Sequence, residues 1–383
     1  MAMAWVGSAL AQSAPAGPEQ RAVEDTLRGM EAAALAADAD AYLEHVATGD
    51  REFLNEQKYF AKDMAKKPPQ AIALTLDEET FKLGDGSAIG KVTWRWNMPE
   101  KKEREVSFEA QFVEESGGWR YAGEHWELIE TPGSRVCFDP GLEEKARAAA
   151  SAFAAIRGHV EEEFELTRAA LPKKTQKIKL YGSMKRLQAS ICLAYEDGLS
   201  GWNEPGEPIK ILVGRRSDEA AFKGLLAHEY GHVATFELGP KSNDAPWWVL
   251  EGVAELMTDF LSEGSADRAR KRVEKWAAEG KLAPWEQISD FENTPGKYAG
   301  HVYTQGHQFL LYLTERFERS GRNRWLTAMA QGESIDEATR KACGKPFEEF
   351  AKEWRAALPA ETPREEPTEG SPKDSPKKDG KPE

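Results

Sequence analysis

Along the first third of the chain the spacing of apolar positions changes from helical to alternating. Val23, Leu27, Met30 and Ala34 recur at helical intervals, which predicts one long helix, and Tyr42 to Val46 continues or follows it. Alternation then takes over: Ile72, Leu74 and Leu76; Val92, Trp94 and Trp96; Val106, Phe108, Ala110 and Phe112. Polar residues separate the members of each set, so each reads as a strand with one buried face. Ser116-Gly117-Gly118 turns the chain into a last strand, Trp119 to Ile129, and Pro132-Gly133 through Pro140-Gly141 reads as a joint.

Beyond the joint the pattern is mainly helical. Phe153, Ile156, Val160 and Phe164 mark a helix that Pro172 closes. Lys177 to Tyr181 and Ile209 to Val213 read as strands, and the loop-rich stretch between them contains Gly201-Trp202-Asn203-Glu204-Pro205-Gly206. Ser217 and Asp218 start a helix with Leu225, Leu226, Val233 and Phe236 as its packing surface. Asn243-Asp244-Ala245-Pro246 starts another, with a capping side chain and a proline in the first turn, running to about Gly264. A further helix spans about Tyr303 to Arg319, a capping box at Ser334 and Glu337 opens one that Gly344 closes, and a last one ends at Pro359. Residues 359–383 combine frequent Pro with mixed charge and no aromatic residue, the composition of a disordered tail.

The expected fold class is α+β, with a helix-plus-antiparallel-sheet domain over 17–131 and a mainly helical domain with a small sheet over 132–358. Helix first, then a curled meander, resembles the cone fold shared by nuclear transport factor and ketosteroid isomerase. That likeness lies in element order and carries no catalytic motif; its cavity could bind a ligand, and a helper or docking role is the favoured reading.

A chain of 383 residues suits two domains with ample buried cores. Its net charge of −14 argues against nucleic acid as a partner and leaves no polybasic patch for anionic lipid. No stretch is apolar enough to span a membrane. Met1 to Ala16 is uncharged and small, and Ala9-Leu10-Ala11 before Gln12 fits a small-x-small cleavage site. A basic start and a full apolar core are missing. The expectation is therefore the tail of an export signal that starts upstream, and a periplasmic or extracellular location. Three cysteines, Cys137, Cys192 and Cys343, leave at least one free and read as buried thiols; a Cys137–Cys192 bridge would be compatible with export.

The chemistry is carried by His228-Glu229-Tyr230-Gly231-His232. Residues four apart share a helix face, so both imidazoles aim at one ion, while Glu229 lies close to it without ligating. With seven histidines in the chain, such a run arises by chance at about the one-per-cent level. No proline interrupts Leu225 to Phe236, and the flanks are mostly apolar, as a buried zinc helix requires. The competing picture is two solvated histidines on an amphipathic helix.

This segment, with the helix that follows, resembles the gluzincin metallopeptidases, whose third ligand is a Glu about twenty residues beyond the second His. Pro246-Trp247-Trp248-Val249-Leu250-Glu251-Gly252-Val253-Ala254-Glu255 is similar to a helix of the peptidase-MA-like domain proteins. Tyr303-Thr304-Gln305-Gly306 and Leu311-Tyr312-Leu313 resemble the helix after it. The likeness covers about Lys177 to Leu358. It implies zinc held by His228, His232 and Glu251, an open position for water, and Glu229 as general base toward a peptide or protein substrate. Tyr303 is the candidate oxyanion donor, with His307 the runner-up one turn on. Glu255 is placed to orient a ligand histidine. Ile209 to Val213 is the candidate edge strand for an extended peptide. The aminopeptidase segment Gly-x-Met-Glu-Asn is missing, which favours an endopeptidase. Two alternatives stay open: a zinc-stabilised protein that binds peptide or glycan without cutting, and a zinc hydrolase of a non-peptide amide. His45, His125, His159 and His301 read as structural.

Overall fold

The computed structural model describes residues 17–166, 175–194 and 200–360. The expected export segment, Pro172 and the tail beyond residue 360 lie outside the described residues. The architecture is α+β, a curled antiparallel sheet followed by a mostly helical region.

Three helices, α1 (Pro18–Leu35), α2 (Ala39–Leu43) and α3 (Arg51–Lys66), pack on strands β1 (Ala71–Leu76), β2 (Lys82–Leu83), β3 (Ser87–Asn97), β4 (Arg104–Glu115) and β5 (Gly118–Glu124). The strand order is β1-β3-β4-β5, with β2 also on β3, and every pairing is antiparallel. The expected alternation is met: Val92, Trp94 and Trp96 face the core with Val106, Phe108, Ala110 and Phe112, against Val23, Leu27 and Met30 of α1. Helix α3 had no counterpart in the periodicity. Its inward face carries Glu56 and Gln57, both buried, among Phe53, Phe60, Ala61 and Met64, so its apolar stripe is interrupted. Asp50 caps it by accepting from the backbone N–H of Glu52 and Phe53.

The strand expected over Trp119 to Ile129 is two strands in two sheets. Gly123 is left-handed (φ 97°), β5 ends at Glu124, and the Trp126 ring turns away to stand edge-on to Tyr181 at 5.2 Å. The chain re-forms as β6 (Glu127–Thr131), paired with β7 (Ser134–Phe138), which occupies the expected joint. Val136, Cys137 and Phe138 are buried there, which a surface linker does not allow. After α4 (Glu143–Glu163) come β8 (Gln176–Tyr181), α5 (Met184–Ile191), β9 (Gly201–Trp202) and β10 (Ile209–Leu212). The second sheet runs β6-β7-β8-β10-β9, parallel among β7, β8 and β10. The expected edge strand, Ile209 to Val213, is thus interior; the edge is the short β9, antiparallel to it. α4 ends before Pro172, because Glu165 is left-handed and Arg322 and Asn323 take the Glu163 carbonyl at 2.6 and 3.0 Å.

The helical layer comprises α6 (Glu219–Phe236), α7 (Trp247–Leu256), α8 (Ser265–Ala278), α9 (Ala299–Ala330), α10 (Ile335–Cys343) and α11 (Phe347–Ala356). Pro246 is the N-cap of α7 rather than its first turn, and Asn243 makes no cap; its amide donates to Glu204 instead. α7 stops at Leu256, and a new helix starts after left-handed Gly264. α9 extends past Arg319 but breaks at Glu318, whose φ is 61°. The capping box at Ser334 and Glu337 and the Gly344 stop are present as expected. The three cysteines are free and buried. No helix among the described residues is long and apolar enough to cross a membrane.

The two sheets meet through buried charge. Lys179 of β8 donates to both oxygens of Glu56 at 2.8 and 2.7 Å, and Lys210 of β10 lies 3.3 Å from Glu56 and 3.2 Å from Glu207. Arg186 bridges Glu124 and Asp139 at 3.2 and 2.8 Å. Burial opposes ionisation of Glu56, but Lys179 and Lys210 outweigh it and hold the carboxyl below its usual range.

α7 crosses α9 with backbone in contact: a Cβ at Gly252 would lie 2.6 Å from the carbonyl carbon of Gly306, and one at Gly306 would strike the Trp248 carbonyl oxygen. We predict that Gly306→Ala costs about 2 kcal/mol or more, as overpacking between rigid helices does. Denaturant unfolding checks this, and an unchanged midpoint would contradict the crossing.

Candidate metal centre

Helix α6 begins at Asp218, whose carboxylate accepts the Ala221 N–H at 2.9 Å. Its apolar residues Phe222, Leu226, Ala227, Tyr230 and Ala234 are buried, and the Tyr230 ring stands edge-on to Phe153 of α4 at 5.0 Å. That packing turns His228 and His232 together toward α7, with ring centroids 5.0 Å apart. The distances from Glu251 Oε2 to His228 Nε2 and His232 Nε2 are 3.2 and 3.7 Å. One donor atom from each of the three residues falls within 4.8 Å of the others.

Whether these residues suit a metal is decided by what holds them. Trp247 Nε1, one turn before Glu251, donates to its Oε1 at 2.8 Å. The other oxygen, Oε2, is buried, makes no aligned hydrogen bond and faces the two imidazole nitrogens. A buried carboxylate oxygen left unpaired costs free energy unless something positive faces it. Two imidazole nitrogens and one such oxygen are the donor set zinc takes, so the residues fit. Glu255 Oε1 lies 3.3 Å from His228 Nδ1, which orients the ring so that Nε2 faces Glu251. Burial opposes protonation of His228, but Glu251 and Glu255 outweigh it and raise its pKa. Burial likewise works against the charged Glu251, and the two histidines overcome it, pushing its carboxyl well below the usual range.

Glu229 is 5 % exposed and lines the same cleft, which has a volume of about 1090 Å³. Burial raises its pKa, the direction that suits a group that must take up and return a proton. Asn203, just beyond β9, donates to the Glu229 carbonyl at 2.8 Å and to its Oε2 at 3.3 Å. A Cβ on Gly201 would overlap the Glu229 carboxylate, so the edge strand approaches the acid as only glycine permits.

Tyr303 lines the cleft, its ring 6.3 Å from that of His228 and 6.1 Å from that of Trp247. His307 does not: it is buried, and its Nε2 meets Asp259 Oδ2 at 2.7 Å. His301 stacks on Trp276 at 3.9 Å and meets the Lys281 carbonyl at 3.0 Å, a structural arrangement. His159 stacks on Phe260. Sequence reasoning missed Trp247, Asn203 and Gly201. Trp247 had a readable signal, one helical turn before Glu251. Asn203 and Gly201 had none, because their contact with Glu229 joins the β9 segment to a helix residue more than twenty positions further on.

No protein-family model matches the chain, and no curated protein matches its sequence.

Two substitutions separate metal holding from acid placement. Trp247→Phe frees Glu251 Oε1 and is predicted to weaken zinc binding by about 10–100-fold, measured by competition with a chelator dye. Gly201→Ala is predicted to leave zinc affinity within about twofold while displacing Glu229, the ligand set itself being untouched. If Gly201→Ala strips the metal instead, β9 supports the ligands rather than the acid.

Proposed function

We propose that this protein is a zinc-dependent peptidase that acts outside the cytoplasm and cuts within peptide chains. The observation that carries the reading is the convergence of two imidazole nitrogens and a buried Glu251 oxygen without an aligned hydrogen bond, beside the buried acid Glu229. His228, His232 and Glu251 would hold the ion. When bound, zinc supplies a positive charge toward a carbonyl oxygen and lowers the pKa of a coordinated water to about 7.

Glu229 then takes the proton from the attacking water and returns it to the leaving amine, so the acid ends the cycle as it began. Tyr303 donates to the oxyanion that forms as the carbonyl is attacked. Asn203 holds Glu229 on the side from which β9 approaches. β9 is the terminal strand of its sheet and lines the cleft, which supports an extended peptide lying along it. The acidic surface, with its net charge of −14, supports a protein or peptide partner over nucleic acid.

A zinc-stabilised binding protein is the second reading. It is disfavoured by Glu229: burying a carboxyl beside the ligands costs free energy and brings a non-catalytic site nothing.

The expected behaviour is one zinc per chain, lost in His228→Ala or His232→Ala. Glu229→Gln should retain zinc and lose about two to four orders of magnitude in turnover. Comparable cleavage by Glu229→Gln and wild type would remove Glu229 as the base. Tyr303→Phe should lower kcat by about a hundredfold with KM and zinc content unchanged. Steady-state kinetics on a peptide library, with metal analysis of each variant, reads both.

A further inference from the structure

The lining of the cleft is rich in acceptors and poor in free donors. Six carboxylates belong to it: Glu204, Glu229, Asp244, Glu251, Glu255 and Asp290. Among the described residues no Lys or Arg lines it. Four donors that do are turned onto acidic partners within the site. Asn203 donates to Glu229 at 2.8 Å through its carbonyl, Asn243 to Glu204 at 2.8 Å, Trp247 to Glu251 at 2.8 Å, and His228 Nδ1 faces Glu255 at 3.3 Å. Two lining oxygens, Glu251 Oε2 and Asn203 Oδ1, are buried without an aligned hydrogen bond, and both are acceptors. One zinc ion offsets only part of this negative charge.

Two of the carboxylates are near aromatic residues in sequence that line the same cleft. Glu204 follows Trp202 by two residues, and Asp290 precedes Phe291. Phe291 is 47 % exposed, with its ring 6.1 Å from Trp202 and 5.0 Å from Trp247. Asp244 is offset by Lys241 at 3.2 Å, whereas no described Lys or Arg forms an ion pair with Glu204 or Asp290. Asn243 holds Glu204 in place, and the Asn293 backbone and side chain hold Asp290 at 2.9 and 3.0 Å. Both carboxylates are thus fixed in position by hydrogen bonds rather than by a contacting cation; burial raises the Glu204 pKa, with Lys210 and Lys62 acting against it.

We propose that the cleft selects peptides carrying a Lys or Arg side chain next to the scissile bond, with Glu204 and Asp290 as the specificity-determining residues. A long cationic side chain lays its apolar stem on the Phe291 and Trp202 rings and brings its charged head to the two carboxylates. The same lining repels acidic peptides and, among the described residues, holds no Lys or Arg for a C-terminal carboxylate, which agrees with cutting inside a chain. This inference rests on the hydrolytic reading of the metal centre, so its test has one arm that needs turnover and one that does not.

In the first arm, the zinc-loaded full chain meets fluorogenic peptides identical except for Lys, Arg, norleucine or Glu on either side of the scissile bond. Lys and Arg peptides should exceed norleucine by about tenfold or more in kcat/KM, with the gap narrowing as salt is raised. In a Glu204→Gln, Asp290→Asn double variant with unchanged zinc content, the Lys-to-norleucine ratio should fall toward one. In the second arm, the Glu229→Gln protein is titrated with the same peptides by calorimetry, and the same order of affinity is expected. Cleavage without charge preference overturns the inference and leaves the peptidase reading standing. Tighter binding of Lys and Arg peptides with no cleavage by wild type does the reverse. Equal binding of all four peptides, or a preference that survives the double variant, overturns the assignment of Glu204 and Asp290.

Discussion

The site depends on how closely α7 is held between its neighbours. At Gly231 of α6 a Cβ would come within 3.2 Å of Ala254 Cα, and at Gly252 and Gly306 the backbones of α7 and α9 are themselves in contact. Glycine at these points lets three helices approach closer than side chains allow, and each of these glycines adjoins the site. Gly231 precedes His232, Gly252 follows Glu251, and Gly306 is one turn beyond Tyr303. A helix on wider packing distances would carry Glu251 out of reach of both imidazoles. The convergence of His228, His232 and Glu251 and the helix packing are therefore one constraint.

The opposite wall of the cleft is fixed by other means. β9 is only two residues long and cannot hold itself in place. Its support is β10, and β10 carries Lys210, which is 1 % exposed and balanced by Glu207 and by Glu56 from the first sheet. Asn55 of α3 adds a direct bond to the Pro205 carbonyl at 2.7 Å. Buried ion pairs of this kind contribute little net stability but resist rearrangement, since a displaced partner leaves an uncompensated charge. The wall that positions Asn203 against Glu229 is thereby tied to the curled sheet.

The sequence revealed most where one period or one local motif decides the structure. The alternation of β3 and β4, the histidine face of α6, the Ser334 capping box and the Glu251–Glu255 turn were all legible because each is set by residues within a turn or two. What escaped was set at long range. α3 hid behind Glu56 and Gln57, polar residues buried for partners on other elements. The path through Trp126 was misread as one strand because Tyr181, which captures the ring, lies far along the chain. Asn243 looked like a cap, and competition from Glu204 redirected it. His307 looked like a cleft residue by helical spacing, and Asp259 claimed it.

The core of the curled sheet is not closed by its own segment. Ala189 and Leu193, from α5 and the turn after it, are buried in that core, and the Trp96 indole donates to the Leu193 carbonyl at 3.1 Å. A fragment ending at Thr131 would expose the surface that Leu193 covers, at a cost of about 1.5–3 kcal/mol for one such side chain, and would orphan a buried indole N–H. The halves are thus poor candidates for exchange by recombination. A foreign partner grafted onto either would have to bring both the missing plug and the matching charges, so the two are expected to be inherited together.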